Sequence, residues 1–182
     1  MILRLAKVGA VLVLLGLFAV VSWALTDYAF HATGDDAFCT SCHTMEPMGQ
    51  AYRRDVHGGD NPMGTEALCV DCHLSHDNPL AYFYTKAKFG IHDVYAQTFK
   101  DLDAIDWQAM RKRREEYVFD SGCMKCHGAL ETAPRSNNKA FVAHKPYFLG
   151  RTEKQCVTCH EHVGHEDLTA ALDAQSDKGD GK

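Results

Sequence analysis

The sequence lacks an excess of positive charge, an unpaired cysteine, and any segment with the alternating pattern of a strand. Its 182 residues carry a formal net charge of −5, which argues against nucleic acid as a partner. Because no run alternates convincingly between apolar and polar residues, the fold class we predict is mainly α. Without the apolar N-terminal stretch and the polar tail, about 140 residues remain, a size at which ordinary burial gives marginal stability.

The eight cysteines form four pairs of identical spacing, each followed at once by a histidine. The four C-x-x-C-H motifs are Cys39, Cys42 and His43; Cys69, Cys72 and His73; Cys123, Cys126 and His127; and Cys156, Cys159 and His160. In such a motif two thiols attach covalently to a haem and the imidazole binds its iron. The sequence therefore predicts four covalently bound haems c, which would fill the middle of a small multihaem cytochrome c domain.

Two structural alternatives explain the cysteine pairs without haem. Structural zinc would use two pairs for each ion, but it does not require a histidine directly after the second cysteine. A disulfide framework closes loops, and it gives no reason for a histidine after every pair.

An apolar N-terminal segment extends from Val8 to Leu25 without a charged residue. Eighteen apolar residues are just enough to cross a bilayer, and the preceding Arg4 and Lys7 favour a cytoplasmic N-terminus. A cleaved signal peptide is the alternative, with small residues available in the stretch Ser22-Trp23-Ala24. In both cases the cysteine motifs lie outside the cytoplasm.

We predict three parts in the chain. Residues 1–30 form a single transmembrane anchor, residues 31–172 a periplasmic tetrahaem domain, and residues 173–182 a disordered polar tail. The protein would be a single-pass component of the bacterial inner membrane.

Two helices are predicted between the second and third motifs. Asn78 followed by Pro79 is a good helix start, and apolar residues then recur at three- and four-residue steps. These are Leu80, Tyr84, Ala87, Ile91 and Tyr95. A charged helix is expected near Ile105 to Tyr117, with Gly122 as its break. Its basic run, Arg111, Lys112, Arg113 and Arg114, indicates a solvated helix face or, alternatively, a docking patch.

The histidines outnumber those of the motifs. Eleven histidines are present, and four belong to the motifs, so seven remain as candidates for the second axial position of the irons. They are His31, His57, His76, His92, His144, His162 and His165.

Several of these segments together resemble the NapC/NirT/NrfH family of membrane-bound, quinol-oxidising tetrahaem cytochromes. The resemblance rests on the anchor and on four segments: CTSCHTM from Cys39, CVDCHLSH from Cys69, KAKFGIHDVY from Lys86, and CVTCHEHVGH from Cys156. It covers nearly the whole chain.

The resemblance implies an axial ligand set. Met45, two residues after His43, would approach the first iron, with ordinary binding by His43 as the alternative and Met48 as a further candidate. His57, His76, His144 and His165 match the distal positions. Because some relatives lack a counterpart of His144, its presence implies that this chain completes its own haems. We interpret His31, His92 and His162 as ordinary histidines.

The resemblance also implies a function. Lys86 and Asp93 would form a quinol site on one helix face, where menaquinol loses electrons to the haems and protons to the periplasm. The chain would act as the quinol dehydrogenase subunit of a hetero-oligomer and would serve a periplasmic terminal reductase. A pentahaem nitrite reductase is the first expectation, and a nitrate or other reductase the second. The alternatives are an anchored electron relay without a quinol site and a terminal reductase with its own open haem.

Overall fold

The computed structural model describes residues 2–102, 104–131 and 138–179, and within these ranges the chain is mainly helical. The α-helices in chain order are α1 (Ile2–Ala32), α2 (Asp36–Cys39), α3 (Glu46–Arg54), α4 (Cys69–His73), α5 (Pro79–Phe99), α6 (Trp107–Lys112), α7 (Asp120–His127), α8 (Asn138–Phe148), α9 (Cys156–Cys159) and α10 (Leu168–Gly179). Short 3₁₀ turns occupy His43–Met45, Arg114–Glu116 and Gly128–Glu131. In the described ranges, extended pairing is limited to an isolated bridge between Gly58 and Glu66. The prediction of a mainly α fold is confirmed.

Helix α1 is apolar and exposed along its length. Its segment Leu3–Ala32, with a mean hydropathy of 2.5 in the most apolar window, is a candidate membrane span by length and composition. A helix of this length extends roughly 45 Å, whereas the hydrocarbon core of a bilayer is ~30 Å thick. The last turns of α1 therefore have the length to reach the membrane surface, where they meet α5.

Helix α5 begins as its sequence predicts. The side chain of Asn78 accepts a hydrogen bond from the backbone N–H of Ala81 at 2.9 Å, and Pro79 occupies the first turn. The cap satisfies one of the N–H groups that have no partner within the helix, and proline has no N–H to lose there.

The two sides of α5 differ in their surroundings. Thr85 is buried and its hydroxyl accepts a hydrogen bond from the backbone N–H of Ser75 at 3.2 Å, while the ring of Phe89 lies 6.2 Å from that of Phe119. On the opposite side, a row of large apolar side chains is exposed by half or more. These are Leu80, Phe83, Tyr84, Ile91, Val94 and Tyr95. One side of α5 thus packs on the domain, and the other presents an apolar surface.

The segment before the third motif differs from the prediction of one helix ended by Gly122. It forms α6, a 3₁₀ turn at Arg114–Glu116 and the separate helix α7, which contains Gly122 in its first turns. Gly122 is buried, and a Cβ atom there would lie 1.8 Å from the carbonyl oxygen of Asp71 in α4. Glycine at this position allows α7 to approach α4, so its role is close packing and not helix termination.

Helix α10 crosses the predicted boundary between the domain and a disordered tail. Leu168 and Ala171 are buried in the contact of α10 with α3, which contributes Ala51 and Tyr52. Burial of this apolar face stabilises the helix, which continues to Gly179. The predicted tail from 173 therefore begins within a helix, and residues 180–182 lie outside the described ranges.

Candidate functional site

Each cysteine motif lies on a short helix or at its end. In the first motif, Cys39 is the last residue of α2 and Cys42 precedes the turn His43–Met45. The second motif forms α4 and the third forms the end of α7. The fourth consists of α9 and the following His160. No disulfide joins any of the eight cysteines. The described ranges also contain no cluster of three or more histidine, cysteine or acidic side chains that could hold a metal ion. The disulfide and zinc alternatives therefore receive no support from the part of the chain that is described.

Thiols from neighbouring motifs contact each other. The thiols of Cys39 and Cys69 lie close enough to interact, and this interaction is the main reason why the pKa of the Cys39 thiol is lowered and that of the Cys69 thiol is raised. Cys123 and Cys156 form the same kind of pair, in which the interaction of the two thiols lowers the pKa of Cys123 to about 7. The first motif therefore adjoins the second, and the third adjoins the fourth.

Contacts between α4 and α7 join these two pairs of motifs. The backbone N–H of Phe119 donates to the carbonyl oxygen of Cys72 at 3.0 Å. The backbone N–H of His76 donates to the hydroxyl of Ser121 at 2.9 Å, and Lys125 forms an ion pair with Asp71. The four motifs consequently form one continuous series in the order of the sequence.

Six histidine rings face one another in three pairs. The distance between ring centroids is 6.2 Å for His57 and His127, 6.2 Å for His73 and His165, and 6.1 Å for His144 and His160. Each pair joins one motif histidine to one histidine from outside the motifs. The motif histidines of the second, third and fourth motifs are thus each matched with a predicted distal histidine.

Hydrogen bonds orient four of these rings through Nδ1. The partners are Asp55 Oδ1 for His57, Tyr117 O for His73, Ala140 O for His144 and Met48 O for His165, at 3.0, 2.9, 2.8 and 3.1 Å. Because these oxygens can only accept, Nδ1 carries the proton and Nε2 keeps the lone pair that binds a metal.

Two of the paired rings also have perturbed pKa values. Burial lowers the pKa of His73, and burial together with the neighbouring His73 lowers the pKa of His165 to about 4. Both rings are therefore neutral near pH 7, and the neutral imidazole is the form that binds a metal ion.

His76, His43 and Met45 are placed differently from the six paired rings. His76 faces Tyr82, with ring centroids 5.1 Å apart, and its Nε2 lies 3.0 Å from the carbonyl oxygen of Val70. That Nε2 therefore carries a proton and donates it, and the structure does not bring His76 opposite a motif histidine. His43 is exposed and Met45 is half-buried within the same short turn.

Lys86 is hydrogen-bonded to the end of the apolar helix α1. Its ammonium group donates to Phe30 O at 2.8 Å and to Thr33 O at 3.2 Å, and it lies 5.2 Å from the centroid of the Phe30 ring. A cation at this position complements the negative end of the helix dipole. Burial lowers the pKa of Lys86.

Asp93 is exposed and lies two turns further along α5. Its carboxylate is 3.3 Å from Nδ1 of His92, and its side chain is 78% exposed. After the larger effects of Cys69, burial and Asp35, Lys86 lowers and Asp93 raises the pKa of the Cys39 thiol. Both charges of the predicted pair therefore act on the first motif, although they do not contact each other.

Two side chains without a role in the predicted site contact the motifs and paired rings. Asp55 contacts His57, and the spacing Asp-x-His was the available signal. Arg114 donates to the carbonyl oxygens of Val157 and Thr158 at 2.7 and 3.3 Å. The basic run is therefore not a simple solvated face, because Arg114 holds α9, and Arg111 contacts His162 and Thr169.

Comparison with known proteins identifies the family. The profile of the NapC/NirT cytochrome c family, N-terminal region, matches residues 3–170. This chain belongs to the NapC/NirT cytochrome c family. Its relatives include the tetraheme c-type cytochrome CymA of Shewanella oneidensis, which is 32% identical over 179 residues covering 90% of either chain. Subunit NrfH of the cytochrome c nitrite reductase of Nitratidesulfovibrio vulgaris is 28% identical over 80% of this chain and 77% of NrfH.

A solved structure is also similar to this NapC/NirT family member. It is the crystal structure of the cytochrome c nitrite reductase NrfHA complex bound to the HQNO inhibitor, with a TM-score of 0.53 and 29% identity over 81% of this chain and 85% of that one. Other relatives are longer. The chain spans 46% of the length of TorC of Escherichia coli.

Family membership implies covalently bound haem c, and the residues present fit that group. A coordinated imidazole nitrogen lies about 2.0–2.1 Å from a metal such as zinc, and the ring centre roughly 1 Å further. Two imidazoles on opposite sides of one metal therefore have ring centres ~6 Å apart. The three observed distances of 6.1–6.2 Å agree with this value.

Proposed function

We propose that this chain binds four haems c and carries electrons from membrane quinol to a periplasmic terminal reductase. The continuous series of motifs is the observation that carries the proposal. Contacts Cys39–Cys69, α4–α7 and Cys123–Cys156 join each attachment site to the next. Bound haem would supply the one-electron redox chemistry, and the chain supplies the attachment, the axial ligands and the order of the sites.

The ring pairs support a specific ligand assignment. We assign His73 and His165 to the second haem, His127 and His57 to the third, and His160 and His144 to the fourth, in line with their facing rings. In this assignment every imidazole of the last three sites comes from this chain.

The first haem has a different environment in this proposal. His43 and Met45 share one 3₁₀ turn. Four histidines are left over, His31, His76, His92 and His162, and among the described residues none of them forms a facing ring pair with His43. We keep Met45 as the proposed ligand, with His43 as the alternative, and we assign no iron to His76 because its Nε2 hydrogen-bonds Val70 O.

The surroundings of α5 support a quinol site beside the first motif. The Lys86 ammonium has three N–H groups, and two of them are used by Phe30 O and Thr33 O, so one can bind a quinol oxygen. Conversion of a quinol to a quinone releases two electrons and two protons. The exposed carboxylate of Asp93 can take these protons in turn and pass them to water, while the electrons enter at the first site.

The position of α5 supports access from the membrane. Phe83 stacks on Phe30 near the end of α1, with ring centroids 5.7 Å apart, so the exposed apolar side of α5 continues from the end of the membrane helix. An apolar quinol could reach Lys86 along this surface. The charges of Arg4 and Lys7 favour the orientation in which the haem domain is periplasmic.

Menaquinol oxidation by the full chain in liposomes tests the quinol site. Lys86→Leu should weaken quinol or HQNO binding about tenfold or more while the haem spectra stay unchanged, and Asp93→Asn should slow turnover and also perturb the first haem. Lys88→Leu, a change at an exposed lysine of the same helix, is the matched control and should behave as wild type.

The same assay distinguishes the alternative function. If the Lys86 and Asp93 variants both oxidise menaquinol at the wild-type rate, the quinol site is elsewhere. A wild-type chain that does not oxidise menaquinol at all would instead favour an anchored electron relay without its own quinol site, in which Lys86 only caps α1.

Among periplasmic reductases we favour a pentahaem nitrite reductase as the partner in a hetero-oligomer. The similarity to the NrfHA complex supports this choice. Liposomes that contain the chain and menaquinol should reduce nitrite only after such a reductase is added. Reduction of nitrite by the chain alone would instead support a terminal reductase. If electron transfer occurs only when a nitrate reductase is added, nitrate reductase is the partner.

A further inference from the structure

One of the paired histidines has a carboxylate partner. Asp55 directly follows α3, and its Oδ1 accepts hydrogen bonds from the backbone N–H of His57 at 2.8 Å and from Nδ1 of the same residue at 3.0 Å. The Asp55 side chain is 5% exposed. Two hydrogen bonds and burial therefore fix this carboxylate against the ring that faces His127.

The other oriented rings have neutral partners. Nδ1 of His73, His144 and His165 bonds to a backbone carbonyl oxygen, which carries only a partial charge. Among the described residues, no lysine or arginine forms an ion pair with Asp55. The negative charge beside His57 is consequently not balanced by a basic side chain.

A buried carboxylate on the outer nitrogen of a ligand histidine has two effects on a metal. It raises the basicity of the imidazole, and its charge acts through a medium that screens it weakly. Both effects favour the more positive, oxidised state of the metal, because one-electron reduction lowers the positive charge of the site by one.

We propose that Asp55 lowers the reduction potential of the haem attached at Cys123 and Cys126, which makes it the lowest-potential haem with two histidine ligands. The proposal rests on the ligand pair His57 and His127 assigned above. Asp55 acts through His57 and is a positioning residue. With haem bound at each site, electron transfer from the second site to the third would then be uphill, and the third site would stay mostly oxidised until the fourth takes its electron.

Asp55→Asn is the variant that tests this role. Asparagine keeps the size of the side chain and an oxygen that can accept from Nδ1, but it removes the charge. In a redox titration of the full chain in detergent, followed by electron paramagnetic resonance, the equilibrium constant for reduction of this haem should rise at least tenfold, which equals 59 mV for one electron. The other low-spin signals should move less, and the signal of the second haem should move more than that of the fourth, because the charge of Asp55 also acts on His165 and Cys72.

Two further variants make the result interpretable. His57→Met should remove one bis-histidine signal and thereby identify the third haem. Asp60→Asn removes the same charge from an exposed position of the same turn and should change the equilibrium constant less than twofold.

The outcomes separate the failure of this proposal from that of the ligand assignment. If His57→Met leaves every low-spin signal intact, the assigned ligand pair is wrong. If it removes one signal and Asp55→Asn shifts that signal no more than Asp60→Asn does, the role of Asp55 is refuted. If Asp55→Asn fails to mature with all its haems, the titration of the wild type tests the proposal. The signal identified by His57→Met must then be the last bis-histidine signal to be reduced. If it is reduced before another bis-histidine signal, the proposal is contradicted.

Discussion

Gly122→Ala perturbs the junction between the second and third motifs. The added Cβ would lie 1.8 Å from Asp71 O and 3.0 Å from its carbonyl carbon, whereas ordinary contacts begin at 3.4 Å. Both obstructing atoms belong to the backbone of α4, so a change of rotamer cannot relieve the clash. Helices α4 and α7 must separate, which weakens the hydrogen bond from Phe119 N to Cys72 O.

This forced separation of α4 and α7 lowers the free energy of unfolding. Overpacking of a tight contact costs about 1–3 kcal/mol, and for a domain of this size each kcal/mol lowers Tm by ~2–4 °C. We expect Tm to fall by roughly 2–12 °C on this basis. Thermal unfolding of the full chain in detergent, followed by the loss of the bis-histidine haem spectrum, measures the change.

Gly128→Ala is the matched control. Gly128 lies at the end of the same helix in the right-handed helical conformation, and a Cβ there meets nothing within 4 Å. This substitution should leave Tm unchanged or raise it slightly, because alanine loses less conformational entropy on folding. If Gly122→Ala is as stable as Gly128→Ala, the close packing of α4 on α7 is not what joins the second and third motifs.

Three further predictions concern haem content and support of the motifs. The intact mass of the matured chain should exceed that of the apoprotein by four haem units, and fewer would contradict the four-site proposal. Arg114→Met removes charged hydrogen bonds to Val157 O and Thr158 O. In denaturant titrations it should lower the free energy of unfolding by about 1.5–3 kcal/mol. Arg113→Met, at an exposed arginine next to it, is the control and should leave the free energy of unfolding almost unchanged. Tyr52→Phe removes a buried hydroxyl that donates to Ala67 O at 2.7 Å and should cost ~1 kcal/mol in the same titrations; no change in free energy would mean that water replaces this bond.

Local chemistry could be predicted from short stretches of the chain. The start of α5 requires only Asn78 and Pro79, because a cap involves groups within one turn. The apolar helix α1 was likewise predictable from composition. The break at Gly122 was not, because the reason for glycine there is the carbonyl oxygen of Asp71, which lies far away in the sequence.

The tail differed from prediction for a similar reason. The polar composition from Asp173 onward predicted disorder, but α10 is held through Leu168 and Ala171, which lie earlier in the same helix and are buried in its contact with α3. Composition describes a segment by itself, and this segment is helical because of the surface on which its start packs.

The sequence by itself determined the type and number of proposed haem attachments, because each motif holds two thiols and an imidazole within five residues. It also supplied a list of candidate distal histidines, but it could not say which iron each one faces. Only the tertiary structure decided that His57 faces His127 and that His165 faces His73. The physical reason is that a distal ligand must reach the opposite side of a metal, and its position there is set by the packing of α3, α4, α7 and the chain before α10, not by spacing along the sequence.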